Sequence, residues 1–187
     1  MPRILGSMDS RVSLAFRRFD QAELKFCRYL NRSSGFSAVR AFFAAISWLG
    51  DGKFWYALIA LLPFVYGTWQ PSVHMVVVGA AGLLIYKLIK ERAVRERPFI
   101  THSAISCAAA PLDRYSFPSG HTLHAVSFTW ILCSYHPEWA PLVVPFTLLV
   151  ALSRVILGLH YPTDIAAGAV LGAALAITSV SIFAPGP

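Results

Sequence analysis

From residue 38 onward, apolar runs alternate with short polar breaks. A helix that spans a bilayer needs about 17–25 mostly apolar residues. Four runs meet or approach that length: Pro71 to Leu88, His121 to Tyr135, Ala140 to Leu159 and Ile165 to Ala184. Phe54 to Trp69 is a fifth, and Ala38 to Leu49, which contains Arg40, is a short sixth. Pro145 lies inside the fifth predicted helix and predicts a kink there. Ahead of these runs the pattern changes. At about 100° per residue, Val12, Ala15, Phe16, Phe19, Ala22, Phe26 and Leu30 share one side of a helix. Arg11, Arg18, Lys25 and Arg32 occupy the neighbouring arc, with Arg28 beyond them. This predicts an amphipathic basic helix lying on an anionic leaflet; a helix packed on a soluble face is the alternative. The expected architecture is an all-α integral membrane protein. Residues 1–35 form the N-terminal interfacial helix, and residues 36–187 form a six-helix domain.

Six spans put the N-terminus, Gly67 to Pro71, His136 to Trp139 and the C-terminus on one side. Asp51 to Lys53, Lys90 to Ser119 and His160 to Thr163 share the other. Each side then carries eight of the 16 Lys and Arg, counting Arg40 with the N-terminus. The positive-inside rule is tied. Setting Lys90, Arg97 and Arg154 aside as functional makes the N-terminal side cytoplasmic.

Composition strengthens the membrane reading. The chain is 56% hydrophobic and 13% charged, against about 25% charged in soluble domains. The formal net charge of +7 favours anionic partners, lipid headgroups or phosphates. No soluble domain is left over for nucleic acid. Three cysteines without metal-type spacing do not suggest a disulfide framework. The opening "MPRILGSMDSRV" has no long apolar core and no small-residue cleavage site, so no removable signal peptide is expected.

Three polar clusters interrupt the apolar runs. "KLIKERAVRERP" brings Lys87, Lys90, Arg92, Arg95 and Arg97 close together. So dense a run repels itself unless anions neutralise it. "FPSGHTLH" predicts a tight turn and a helix starting at or near His121. Ser119 and Gly120 then lie where free backbone N–H groups accept an anion, and glycine permits close approach. A simple helix cap is the alternative. "SRVILGLHYPTD" ends one helix at Arg154 and starts the next at Pro162. His160 and Asp164 are one helical turn apart, so their side chains can meet. A carboxylate on one imidazole nitrogen leaves the other basic and aimed, although such pairs are also structural.

The topology brings Lys90, Arg97, Ser119, His121, Arg154, His160 and Asp164 to one face. That set describes a phosphate pocket with an acid–base pair. A dication there is opposed by three cations and by the scarcity of carboxylates, so no metal is expected. Arg92 and Arg95 are further cations for a second phosphate or for anionic lipid. His102 lies on the same side, within reach of a headgroup, and Asp113 and Arg114 form a possible loop pair. His124 lies one turn below His121, where it packs or supports it. His74 and His136 fall on the opposite face.

The spacings K-x6-RP, PSGH and SR-x5-H-x3-D are all present. They read Lys90 to Arg97-Pro98, Pro118-Ser119-Gly120-His121, and Ser153-Arg154, His160 and Asp164. In these residues the chain resembles the type 2 phosphatidic acid phosphatase superfamily. The resemblance implies a six-helix membrane fold, phosphate ester hydrolysis without metal or cofactor, and a site facing away from the cytoplasm. It further implies that His160 is the nucleophile, forming a phosphohistidine, that Asp164 orients it and that His121 is the general acid. Lys90, Arg97, Ser119, Gly120 and Arg154 would hold the phosphate. The expected substrate is a membrane lipid phosphate: a polyprenyl diphosphate, phosphatidylglycerol phosphate or phosphatidic acid. The expected location is a bacterial inner membrane. Transfer to a lipid or sugar hydroxyl is an alternative, as is non-enzymatic binding of anionic lipid. The vanadium haloperoxidases of the same superfamily are disfavoured by the predicted spans.

Overall fold

The structure, a computed structural model, describes residues 21–93, 95–111 and 113–183. Helix α1 covers residues 21–31. It is followed by α2 (Ser37–Trp48), α3 (Phe54–Tyr66), α4 (Gln70–Arg92) and the short α5 (Pro98–Thr101). The last three are α6 (Gly120–Tyr135), α7 (Ala140–Ile156) and α8 (Pro162–Phe183). Each apolar run of the sequence is therefore a helix, with ends within a few residues of those expected. Local chemistry sets these ends. Gly67, at φ 67°, closes α3 in the left-handed conformation that glycine adopts without strain. Ser119 caps α6, its hydroxyl accepting from the Thr122 amide at 3.4 Å. Pro162 is the first residue of α8. Helix α7 runs on past Pro145 as one element.

Helix α6 is the central element, with α4, α7 and α8 packed around it. Helix α8 approaches it through glycine. A Cβ at Gly168 would run into the Ser119 carbonyl oxygen, and one at Gly172 into that of Leu123. Small residues spaced by four let helix backbones meet in this way. Trp55, Leu62, Met75, Ile131 and Val143 fill the core between the helices. Phe64, Leu84, Leu148 and Val170 face outward. Among the described residues, three helical stretches are long and apolar enough to cross a membrane: Gln70–Arg92, Pro137–Ile156 and Pro162–Phe183.

The N-terminal part is described only from residue 21. Val12, Ala15, Phe16, Phe19, Arg11 and Arg18 of the predicted amphipathic helix lie outside the described residues. Over 21–31, the side of α1 that meets the protein is Glu23, Cys27 and Asn31, all buried. Phe26, on the predicted apolar side, is 50% exposed. Asn31 Nδ2 donates to the carbonyls of Ile156 (2.9 Å) and Ser106 (3.0 Å), and its Oδ1 accepts from the Ser106 amide (2.8 Å). Glu23 Oε1 accepts from the Thr163 amide at 2.7 Å and from the Thr163 hydroxyl. These bonds hold α1 against the chain that follows α7 and begins α8.

Helix α2 packs against α7. Asp51, just after it, lies 3.3 Å from His121 in the first turn of α6. With 12 residues, α2 is only about 18 Å long. Five helices, α3, α4, α6, α7 and α8, then run between the two ends. The far end is marked by Tyr66, whose hydroxyl donates to Glu138 Oε1 (2.6 Å) and accepts from Trp139 Nε1 (2.8 Å). The N-terminal helix is expected opposite the polar clusters; α1 instead lies beside them, held there by Glu23 and Asn31.

Glu23 is 6% exposed and bonds both Thr163 and Arg95. Glu23→Ala is expected to cost about 1–3 kcal/mol by leaving buried donors unpaired. A lowered thermal midpoint in detergent is the readout. An unchanged midpoint would remove Glu23 as the clamp.

Candidate active site

The three polar clusters meet at one end of the bundle. Lys90 stands on the last turn of α4, where its ammonium donates to the Tyr86 hydroxyl (2.8 Å) and pairs with Asp113 (2.7 Å). Arg97 precedes Pro98 in extended backbone and is 2% exposed. Its Nη1 donates to the Leu159 carbonyl at 2.9 Å and lies 3.2 Å from His160 Nε2. Its Nη2 and Nε reach Asp113 Oδ1 (3.0 Å) and the Asp113 carbonyl (2.8 Å). Arg154, on the last turn of α7, donates to the Ser47 hydroxyl, while its buried Nε has no partner among the described residues.

His160 is delivered by the loop from α7 to α8. Gly158 turns that loop at φ 75°, and a Cβ there would strike the Ser106 carbonyl; both facts demand glycine. The turn folds the chain back so that the His160 amide donates to the Arg154 carbonyl at 3.1 Å. Burial, followed by the guanidinium groups of Arg154 and Arg97, holds the His160 imidazole well below its ordinary pKa, so it is neutral at neutral pH. Asp113, in the loop before α6, is raised by burial, but the Lys90 and Arg97 charges outweigh this and leave it below the usual carboxylate range.

Lys90, Arg97, His121, Arg154 and His160 all line one cavity of about 690 Å³, together with Asp51 and Gly120. From this polar head the cavity continues between α3 and α4. It passes Trp55, Ile59, Val76 and Val73 and ends at Trp69 near the far end. Among the described residues no three of His, Cys, Asp and Glu gather as a metal-ion set.

Two predicted site residues lie behind the cavity wall. Ser119 is fully buried; its amide donates to the Asp164 carbonyl (3.0 Å) and its hydroxyl caps α6. Its amide is thus not the free anion donor that the sequence suggested. Asp164 is also fully buried, with Oδ1 on Arg95 (2.8 Å) and Oδ2 on the Tyr161 amide (2.8 Å). His160 Nδ1 is 3.7 Å from Asp164 Oδ2, beyond hydrogen-bond reach, and has no partner among the described residues. Asp164 therefore meets His160 but bonds elsewhere, because Arg95 and the Tyr161 amide claim its oxygens.

Other expectations sort in the same way. Arg95 binds Glu23 (2.7 Å), Asp164 and Thr163 and stacks over the Tyr161 ring, so it is an internal strut rather than a second phosphate cation. Arg92 is exposed, and neither it nor half-buried His102 lines the cavity. Asp113 and Arg114 do not pair; Arg114 bonds Glu96, and Asp113 bridges Lys90 and Arg97. Ser153 turns its hydroxyl back to the Val150 carbonyl (2.6 Å). His124 contacts the carbonyls of Gly120 (2.9 Å) and Gly79 (3.2 Å), supporting the head of α6. His74 meets the Tyr135 hydroxyl (3.0 Å) and His136 stacks on Tyr66, both away from the site.

Sequence reasoning missed Asp51 and Asp113 as members of the site. Asp51 carried one signal. It is an acid between two glycines, joining two apolar runs, and Gly52 takes φ 107° to make that turn.

Comparison with known proteins fits this geometry. The family model for the PAP2 superfamily matches residues 71–185. The chain is 36% identical over 115 residues to the undecaprenyl-diphosphatase BcrC of Bacillus subtilis, covering 59% of this chain and 58% of that protein. It is 37% identical over 86 residues to a decaprenylphosphoryl-5-phosphoribose phosphatase of Mycobacterium tuberculosis, covering 46% of each. These matches thus span about half the length of the curated relatives. The crystal structure of a transmembrane PAP2-type phosphatidylglycerolphosphate phosphatase from Bacillus subtilis superposes with a TM-score of 0.68 at 26% identity, over 90% of this chain and 86% of that one. Aquifex aeolicus LpxE shares the fold, with a TM-score of 0.72 at 23% identity over 84% of this chain and 94% of that one. The family match takes in more than half of the chain, including every residue of the three signature motifs, and the protein belongs to the PAP2 superfamily.

Proposed function

We propose that the protein is an integral membrane lipid phosphatase that cleaves a headgroup phosphate through a phosphohistidine on His160. One observation carries this reading. The cluster of two histidines and three cations opens into the same cavity as a long apolar groove between α3 and α4. A phosphate at the polar head leaves room for an isoprenoid or acyl tail along the groove. The relatives named above act on undecaprenyl, decaprenyl or phosphatidylglycerol phosphates by their names, and these head the list of substrates to try.

The chemistry follows from the contacts. Arg97 donates towards His160 Nε2, so that nitrogen is unprotonated, with its lone pair accepting, and the ring proton sits on Nδ1; the lone pair is freed for attack when the guanidinium turns to the phosphate. Nε2 attacks phosphorus, and the bond from phosphorus to the leaving oxygen breaks. Negative charge on the equatorial oxygens falls to Lys90, Arg97 and Arg154. The amides of Gly120 and His121 head α6 and add donors there. His121 gives its proton to the leaving oxygen, then takes one from the water that hydrolyses the phosphohistidine. Asp51 Oδ1, 3.3 Å from His121 Nε2, positions that ring. Ser119 and Asp164 act from behind, through the helix cap and the His160 loop.

Asp51→Asn is expected to lower kcat on the order of 10²–10⁴-fold, the usual worth of a general acid, with less change in KM. Equal losses in kcat and in thermal midpoint would make Asp51 merely structural. Because three cations face the phosphate site, EDTA is expected to leave turnover unchanged; a strict dication requirement would revive the metal reading. The decisive experiment is phosphate release in detergent from polyprenyl phosphates and diphosphates, phosphatidylglycerol phosphate and phosphatidic acid. Release from none of them would overturn the proposal.

A further inference from the structure

We propose that the preferred substrate is a lipid phosphomonoester, whose leaving group is an alcohol, and that Asp51 turns the site against lipid diphosphates. This rests on the lipid-phosphatase reading and narrows it. The observation behind it is where charge lies along the cavity.

The cations of the cavity gather at its head. Among the described residues that line it, Lys90, Arg97 and Arg154 are the only Lys and Arg. Their charges all act on the His160 ring, and Arg97 Nη1 is 3.2 Å from His160 Nε2. They therefore surround the phosphoryl group that His160 attacks, and they match the dianion of a terminal phosphate.

The leaving group lies on the other side of phosphorus, because the attacking and leaving atoms stand roughly in line. That side is where the head passes into the groove between α3 and α4. Asp51 lines the cavity there, and its Oδ1 is 3.3 Å from Nε2 of His121, the proton donor to the leaving oxygen. Beyond Asp51 the wall is Trp55 and Tyr56 on α3 and Gly79, Ala80 and Leu83 on α4. The Tyr56 hydroxyl and the Trp55 indole are neutral. His124 lines this stretch too, but its two ring nitrogens face the carbonyls of Gly120 (2.9 Å) and Gly79 (3.2 Å). Among the described residues, no cation is left to meet a second phosphate.

The two kinds of leaving group make opposite demands. An alkoxide is strongly basic, so an alcohol departs with a proton, which His121 gives. The second phosphate of a diphosphate is a far weaker base and needs that proton less. It brings extra negative charge instead, which cations must meet. The leaving side of this cavity holds a proton donor, a carboxylate and apolar walls. A carboxylate repels a second phosphate there, and the walls cannot solvate it. With a monoester, the bond from Nε2 to phosphorus forms as the bond from phosphorus to the ester oxygen breaks, and the His121 proton goes to that oxygen. Water then splits the phosphohistidine, so the products are one alcohol and one inorganic phosphate.

Farnesyl phosphate and farnesyl diphosphate carry the same tail and differ by one phosphate. Initial rates on both are measured with the purified full chain in detergent, with EDTA present so that no dication supplies the missing charge. The wild type should show a kcat/KM on the order of tenfold or more higher for the monophosphate, although the diphosphate has the better leaving group. Asp51→Asn removes the repelling charge and loosens the ring that donates the proton. It should lose more rate on the monophosphate than on the diphosphate, moving the ratio of the two kcat/KM values on the order of tenfold towards the diphosphate. Asp51→Glu keeps the charge and should keep the preference. A misfolded fraction lowers both rates alike and leaves the ratio untouched. Equal or faster hydrolysis of the diphosphate by the wild type would overturn the proposal and leave the phosphatase reading standing, as would an unmoved ratio in Asp51→Asn. Release from neither farnesyl substrate, and from none of the wider lipid panel, would overturn the phosphatase reading and this proposal with it.

Discussion

His160→Ala is expected to abolish phosphate release and to eliminate the base-stable phosphoenzyme that the wild type forms with labelled substrate. A loss on the order of 10⁵-fold or more is expected where a nucleophile is removed from a site acting as a unit. The fold should survive. Arg97 keeps its bonds to the Leu159 carbonyl and Asp113, and Asp164 keeps Arg95 and the Tyr161 amide. The thermal midpoint should thus hold while activity disappears. Loss of phosphoenzyme with retained turnover would show that water attacks phosphorus directly. Retained phosphoenzyme would move the nucleophile elsewhere.

Gly172→Leu should be nearly as damaging, by a different route. Helices α6 and α8 touch backbone to backbone at Gly168 and Gly172. The head of α6 presents His121, and the head of α8 carries Asp164, whose carbonyl accepts the Ser119 amide. A leucine at 172 forces the helices apart by several tenths of an ångström or more. Overpacking of this kind costs about 1–3 kcal/mol, and a shift near 1 Å between catalytic groups costs on the order of 10²-fold in rate. Gly172→Ala should fall between wild type and leucine in both thermal midpoint and kcat. Full activity in the leucine variant would mean that the two helix heads are not coupled through this contact.

Much of this architecture is written in local pattern. Pro162 and the Ser119 cap mark helix starts, and the three signature motifs bring six residues to the cavity wall in sequence-readable order. What the sequence did not reveal depends on partners far apart in the chain. Asp164 could be paired with His160 by helical spacing, but the Tyr161 amide holds its nearer oxygen and Arg95, 69 residues away, holds the other. Asp113 next to Arg114 suggested a local pair, yet the stronger field of Lys90 and Arg97 captures the carboxylate. Residues 37–48 are apolar enough to suggest a helix; only the bonds of Asn31 and Glu23 show that α1, before it, lies beside the polar clusters. Ser119 illustrates the limit of motif reading. The residue is where the motif puts it, but its hydrogen bonds are spent on the helix cap and on α8 rather than facing the cavity.

The clamp between Glu23 and Thr163 joins residues 140 positions apart. At roughly 5–20 residues per second of synthesis, α1 has left the ribosome many seconds before its partner exists. Until α8 emerges, Glu23 has no Thr163 and Arg95 has no Asp164, so the loop that carries His160 cannot close over the cations. A nascent or truncated chain is therefore inert by construction. The active arrangement forms only after the head of α8 has been made.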